Sequence, residues 1–140
     1  MLRNLFALIA GLFAMMIVNT AFAFANMTLY PPPAGVDLRD AAAAQAFLQA
    51  MPGWLLGFIV LGWLAMAAVG AWLAARLAQP RSARSCAIFL GLLASVLAAH
   101  NASSVSHPAW MLVAGIALPP VIAWYAASFA ALPSRRVPGL

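Results

Sequence analysis

The two histidines, His100 and His107, are the side chains of this chain best suited to metal ligation or proton transfer, because imidazole titrates near neutrality and is a common metal ligand. His100 is followed by Asn101 and then Ser103, Ser104 and Ser106, so a small polar cluster surrounds the pair. A zinc or copper site usually needs a third or fourth ligand, and no acidic residue lies near them in sequence. Met27, Met51 and Met111 are the soft ligands that folding could bring alongside. The preferred reading is that His100 closes a helix end and His107 supports the turn before Pro108, with a metal or haem site at His100 and His107 kept as the alternative. Cys86, the single cysteine, forms no intramolecular disulfide and sits among small apolar neighbours, which suits packing. No serine, histidine and acid grouping and no glycine-rich phosphate loop is present, so the chain reads as a non-enzyme with no cofactor.

Those groups must be positioned by segments of unusual composition. Of the 140 residues, 66% are hydrophobic and 6% are charged, against about 25% charged in a soluble domain. Four apolar runs, about 5–25, 53–75, 86–102 and 110–132, approach the roughly 20 residues needed to cross a bilayer. The expected fold is all-α: a polytopic, four-transmembrane-helix bundle in a single domain spanning 1–140, with a short helix in the outer loop 26–52. No Asp, Glu, Lys or Arg interrupts the runs, and His100 falls at the outer end of the third; a charged residue costs about 2.5 to 3.5 kcal/mol at mid-span. That weighs against a pump or proton-coupled transporter.

The first run also fits a secretory leader, since Arg3 precedes it and Ala21-Phe22-Ala23 resembles a cleavage site. It is longer than a leader core and has one flanking arginine, so it is read as a retained span. The net charge of +5 and pI near 11.3 come from seven arginines scattered at segment ends, which is a topology signal and not a nucleic-acid footprint. Arg3, Arg76, Arg81, Arg84, Arg135 and Arg136 fall on one side of an even number of crossings, and Arg39 falls on the other. The arginine-rich side is expected to be cytoplasmic, with both termini there, in a bacterial inner membrane. Trp54, Trp72 and Trp110 near run ends fit the interfacial belts.

Small residues predict where the spans touch, because backbones approach closely only where side chains are small. Gly53 with Gly57, then Ala67, Gly70, Ala71 and Ala74, mark the second span; Ala87, Gly91, Ser95 and Ala99 mark the third; Ala123, Ala127 and Ala131 mark the fourth. Pro119 and Pro120 should kink the fourth span and, in a transporter, would line a path. Asn19 and Thr20 are expected to hydrogen-bond another helix. In the outer loop Tyr30-Pro31-Pro32-Pro33 should be extended, Ala34-Gly35 should turn, and Asp37 should cap a helix from Leu38 to about Met51, with Asp40 in its first turn. Ala44, Phe47, Leu48 and Met51 recur at helical spacing, and the face they form should be a lid on the bundle, with a docking surface for a partner as the alternative.

The stretch Leu29-Tyr30-Pro31-Pro32-Pro33-Ala34-Gly35-Val36-Asp37-Leu38-Arg39-Asp40, together with Ser106-His107-Pro108-Ala109-Trp110, resembles a set of small bacterial inner-membrane proteins of unknown function. The resemblance covers most of the chain in layout and implies four spans but no activity. It marks Tyr30, Pro31, Pro32, Pro33, Gly35, Asp37, Asp40, His107, Pro108 and Trp110 as the candidate interaction or structural motif. In that set the first helix often ends with an acidic residue and a histidine. Ala23 and Met27 stand about there in this chain, so no site built from that pair carries over. The expected partners are the lipid bilayer and either another membrane protein or a second copy, with no nucleic acid. The first functional expectation is an accessory or interaction subunit of an inner-membrane assembly; the alternatives are a passive transporter or channel formed by oligomerisation, and a metal- or haem-binding protein.

Overall fold

A computed structural model of the protein describes residues 1–104 and 106–130, the side chains of 102–104 excepted. Five helices follow one another: α1 (Leu2–Leu29), α2 (Ala41–Ala50), α3 (Gly53–Leu77), α4 (Ala83–Ser104) and α5 (Ala109–Ala130). The described residues contain no strand, and four of the helices are long and apolar enough to span a membrane. Ala131, Leu132, Arg135 and Arg136, to which the expected fourth span and arginine pair extend, lie outside the described residues.

The long helices begin or end within a few residues of the apolar runs, and the differences have local causes. The first is longer than expected because nothing in Asn26-Met27-Thr28-Leu29 opposes a helix, while Pro31 forces Tyr30 out of helical conformation and sets the end at Leu29. The third run, short on apolar residues alone, gains length by carrying the helix through His100 and Asn101 to Ser104.

Helix α3 lies at the centre, packed against α1, α4 and α5, while α1 barely touches α4. Its contact with α1 is a meeting of backbones. A Cβ on Gly11 would lie 2.7 Å from the Gly70 carbonyl oxygen, and one on Gly70 would lie 2.8 Å from the Gly11 oxygen, so both positions require glycine. Ala7 and Ala74 are fully buried along the same seam. Gly53 and Gly57, expected to form a small pair, face nothing within 4 Å and join no seam.

On α4 the packed face runs through Ala87, Gly91, Ala94, Ser95 and Ala98, whereas Ala99 is exposed. Steps of four residues advance about 40° beyond a full turn, so after three such steps the position has drifted away from the contact. Gly91 meets α5 at its two prolines: a Cβ there would lie 2.9 Å from the Pro119 carbonyl oxygen and 2.9 Å from Pro120 Cα. Helix α5 continues through both prolines. Pro120 has no N–H to give the Ile116 carbonyl four residues back. Ser95 Oγ donates to that oxygen at 2.7 Å, repairing the lost bond from the neighbouring helix.

The ends are closed by polar contacts. At one end Arg3 Nε donates to the Leu77 carbonyl at 2.8 Å, Arg76 Nη1 donates to the Ala130 carbonyl at 3.3 Å, and Gln79 N–H donates to Asn4 Oδ1 at 3.0 Å. Arginines at the last carbonyls of α3 and α5 suit the negative ends of those helices. Arg84 lies 4.4 Å above the Trp124 ring at the same end.

The proline repair predicts a coupled pair. Ser95→Ala should lower stability in detergent by about 1–3 kcal/mol, because it strands the Ile116 oxygen in an apolar setting. In a Pro120→Ala background the restored N–H should bring that cost close to zero. Thermal melts of the four proteins check the coupling.

Candidate functional site

The end of the bundle opposite the arginine contacts carries both distinctive sequence stretches and the histidines. Tyr30 leaves α1, its hydroxyl donates to the Ala50 carbonyl at 3.2 Å, and its ring lies 5.3 Å from the Phe47 ring. The first residues of the loop are thereby fastened to the far end of α2. Pro31, Pro32 and Pro33 are non-helical as expected. Gly35 has φ +83°, a left-handed conformation that side chains disfavour, and Val36 N–H closes the turn on the Pro33 carbonyl at 3.2 Å.

The expected cap of α2 is corrected by one acidic residue. Asp37 accepts from Arg39 N–H at 2.9 Å in a local turn, and Asp40 is the N-cap, accepting from Ala42 N–H at 3.2 Å. The turn at Asp37 uses up residues 37–40, so the helix starts at Ala41 instead of Leu38. Helix α2 does lie on the bundle: Ala44, Phe47 and Leu48 are partly covered, and Met51 is buried.

Gln45 fixes the lid to the second distinctive stretch. Its Nε2 donates to the Ser106 carbonyl at 3.2 Å and its Oε1 accepts from Ser106 N–H at 2.7 Å, so one side-chain amide satisfies both backbone groups of Ser106. Nothing local in the sequence marks Gln45 for this role, although it is one of only two polar residues on α2. Pro108 precedes α5 and its carbonyl accepts from Met111 N–H at 2.9 Å, while Trp110 is exposed at the start of that helix.

His107 is half-buried, with its ring 5.7 Å from the Trp63 ring. Trp63 in turn lies on the bare backbone of Gly115, where a Cβ would meet Cε3 at 2.8 Å. His100 is exposed one turn before the end of α4. Met27, Met51 and His107 border one cavity, and Met111 is buried in the core, so two of the three candidate methionines do approach one of the histidines. Among the described residues no three His, Cys, Asp or Glu side chains gather into a metal-binding group.

Asn19 and Thr20 form no hydrogen bond to another helix among the described residues, contrary to expectation. Asn19 borders two adjoining cavities of about 290 and 180 Å³, the larger floored by Trp63 and Met66 and flanked by Leu97 and Asn101. Thr20 faces outward in a shallow groove with Phe13, Ile17 and Phe24. Asn26, read from sequence as the first residue of the loop, is buried in the last turns of α1.

No family model matches the chain, and no curated protein or solved structure is significantly similar to it.

The pinning of α2 predicts local loosening. Gln45→Ala should cost about 1 kcal/mol, felt as roughly fivefold faster amide exchange across α2, with α3 and α4 unchanged. Hydrogen-exchange mass spectrometry resolves the two regions.

Proposed function

We propose that this chain is a non-enzymatic, multi-pass protein of a bacterial inner membrane and serves as an accessory or interaction subunit of a larger membrane assembly. Its termini and the α3–α4 loop lie in the cytoplasm. Support for the orientation comes from charge: Arg3, Arg76, Arg81 and Arg84 share one end of the bundle, and Arg39 lies at the other.

The observation that carries the interaction reading is the outer face of α1. This helix buries only Ala7, Gly11, Met15 and Asn26 of its 28 residues. The remainder offers Phe6, Phe13, Ile17 and Phe24 outward, with Thr20 among them at mid-helix. A hydroxyl at that depth of a bilayer is costly without a partner, and helices in lipid associate through such groups. The occupant of this face is a transmembrane helix of a partner that offers an acceptor to Thr20; a second copy of the chain is the other outcome of the test. A passive path along Pro119-Pro120 draws no support, since Pro119 is fully buried and both prolines pack on Gly91.

Two measurements follow. In intact spheroplasts a membrane-impermeant maleimide should label Val36→Cys directly and Arg81→Cys only after permeabilisation; the reverse pattern would invert the orientation. In mild detergent the native chain should co-purify with a partner or as an oligomer, and Thr20→Leu should release it with the melting temperature unchanged. A strictly monomeric native protein with nothing bound would defeat the interaction reading.

A further inference from the structure

Among the described residues one buried side-chain polar atom lacks a hydrogen-bond partner, Nδ2 of Asn26. The residue is 7% exposed, and α1 presents it towards α3 and the lid. An amide left unpaired in apolar surroundings is retained at a cost to stability. Asn26 also borders two cavities of about 180 Å³ each, one walled by Phe22, Ile59 and Trp63, the other roofed by Phe47 and Met51. The first adjoins the cavity of about 290 Å³ between α1 and α4, sharing Asn19 and Trp63 with it.

The chemistry of this cleft is narrow. The side chains around it are apolar apart from the amides of Asn19, Asn26 and Asn101 and the ring of His107, and no carboxylate or guanidinium reaches it. An ionic ligand would be desolvated without a counter-charge, which disfavours it. A resident water needs two to four polar partners. In the Phe22 cavity the polar side chains are Asn19 and Asn26, seven residues apart on one helix, and thus about 10 Å apart along its axis. One water cannot bridge them.

The entrance lies on the side of the bundle. Leu12 and Met16 of α1 and Leu97 of α4 are exposed around the larger cavity, where α1 and α4 part. Its volume equals about ten waters, enough for a ring or a short acyl segment. Met15, Met16 and Met66 beside Trp63 give a wall that adapts to either shape.

We infer that the cleft between α1, α3 and α4 binds a small apolar molecule taken sideways from the bilayer, whose carbonyl oxygen accepts a hydrogen bond from Asn26 Nδ2. This rests on the membrane placement proposed above but not on the interaction role. The carbonyl belongs to one of two sources, a quinone-type ring or an acyl ester.

The test uses the purified full chain, recovered from carbonate-washed membranes so that membrane placement is checked separately. Native mass spectrometry reads binding of decylubiquinone as the ring probe and methyl decanoate as the ester probe. The native protein should bind a single equivalent of one of them, and the one bound assigns the source. Asn26→Leu should weaken binding roughly 3- to 10-fold, while the melting temperature of the empty protein stays level or rises because an unpaired amide has gone. Asn19→Phe, which fills the junction of the two cavities and leaves Asn26 intact, should weaken it as well. Failure of the native protein to bind either probe overturns the inference, as does undiminished binding by Asn26→Leu.

Discussion

The arrangement depends on two places where backbones meet without side chains between them. Gly11 against Gly70 draws α1 onto α3, and Gly91 against Pro119 and Pro120 draws α4 onto α5. Close packing at such points is what distinguishes this bundle from four separate helices. The first contact lies towards the arginine end of the bundle. Beyond it α1 follows α3 and not α4, and the gap between α1 and α4 becomes the cleft that Trp63 floors.

A chain with so few polar groups must account for each one. Pro120 removes a backbone donor and Ser95 on α4 supplies another; Arg3 and Arg76 reach the last carbonyls of α3 and α5; Gln45 serves both backbone groups of Ser106. Each of these links joins segments far apart in sequence. Polar groups therefore decide which apolar surfaces meet, and the buried amide of Asn26 stands out against that economy.

How much of this was legible in the sequence depended on whether the signal was local. The four long helices followed from apolar length, and the non-helical Pro31-Pro32-Pro33 and the turn at Gly35 followed from residue chemistry. The start of α2 did not, because Asp37 and Asp40 are equally good caps in isolation and only the turn that Asp37 forms with Arg39 decides between them. Small-residue pairs were ambiguous for a related reason. Gly53 and Gly57 look like Gly11 or Gly70 in composition, but what lies opposite is a property of the partner helix. Asn26 looks like the first residue of the loop because the apolar run ends at Ala25, although the helix is stopped only by Pro31.

The same distinction separates rigid parts of the molecule from the part able to move. Seams α1–α3 and α4–α5 are backbone contacts and buried alanines, which have no alternative packing. Helix α2 buries none of its own residues and is held by the Gln45 amide, the Tyr30 hydroxyl and the ring of Phe47. The hydrogen bonds among those contacts are exposed and worth about 1 kcal/mol each, and Phe47 and Leu48 are only partly covered, so lifting α2 costs less than separating any pair of long helices. Phe47 of this helix and Met51 just after it roof the cavity beside Asn26. The fold thus combines a fixed bundle with one loosely fastened cover, set over the buried amide that the bundle leaves unpaired.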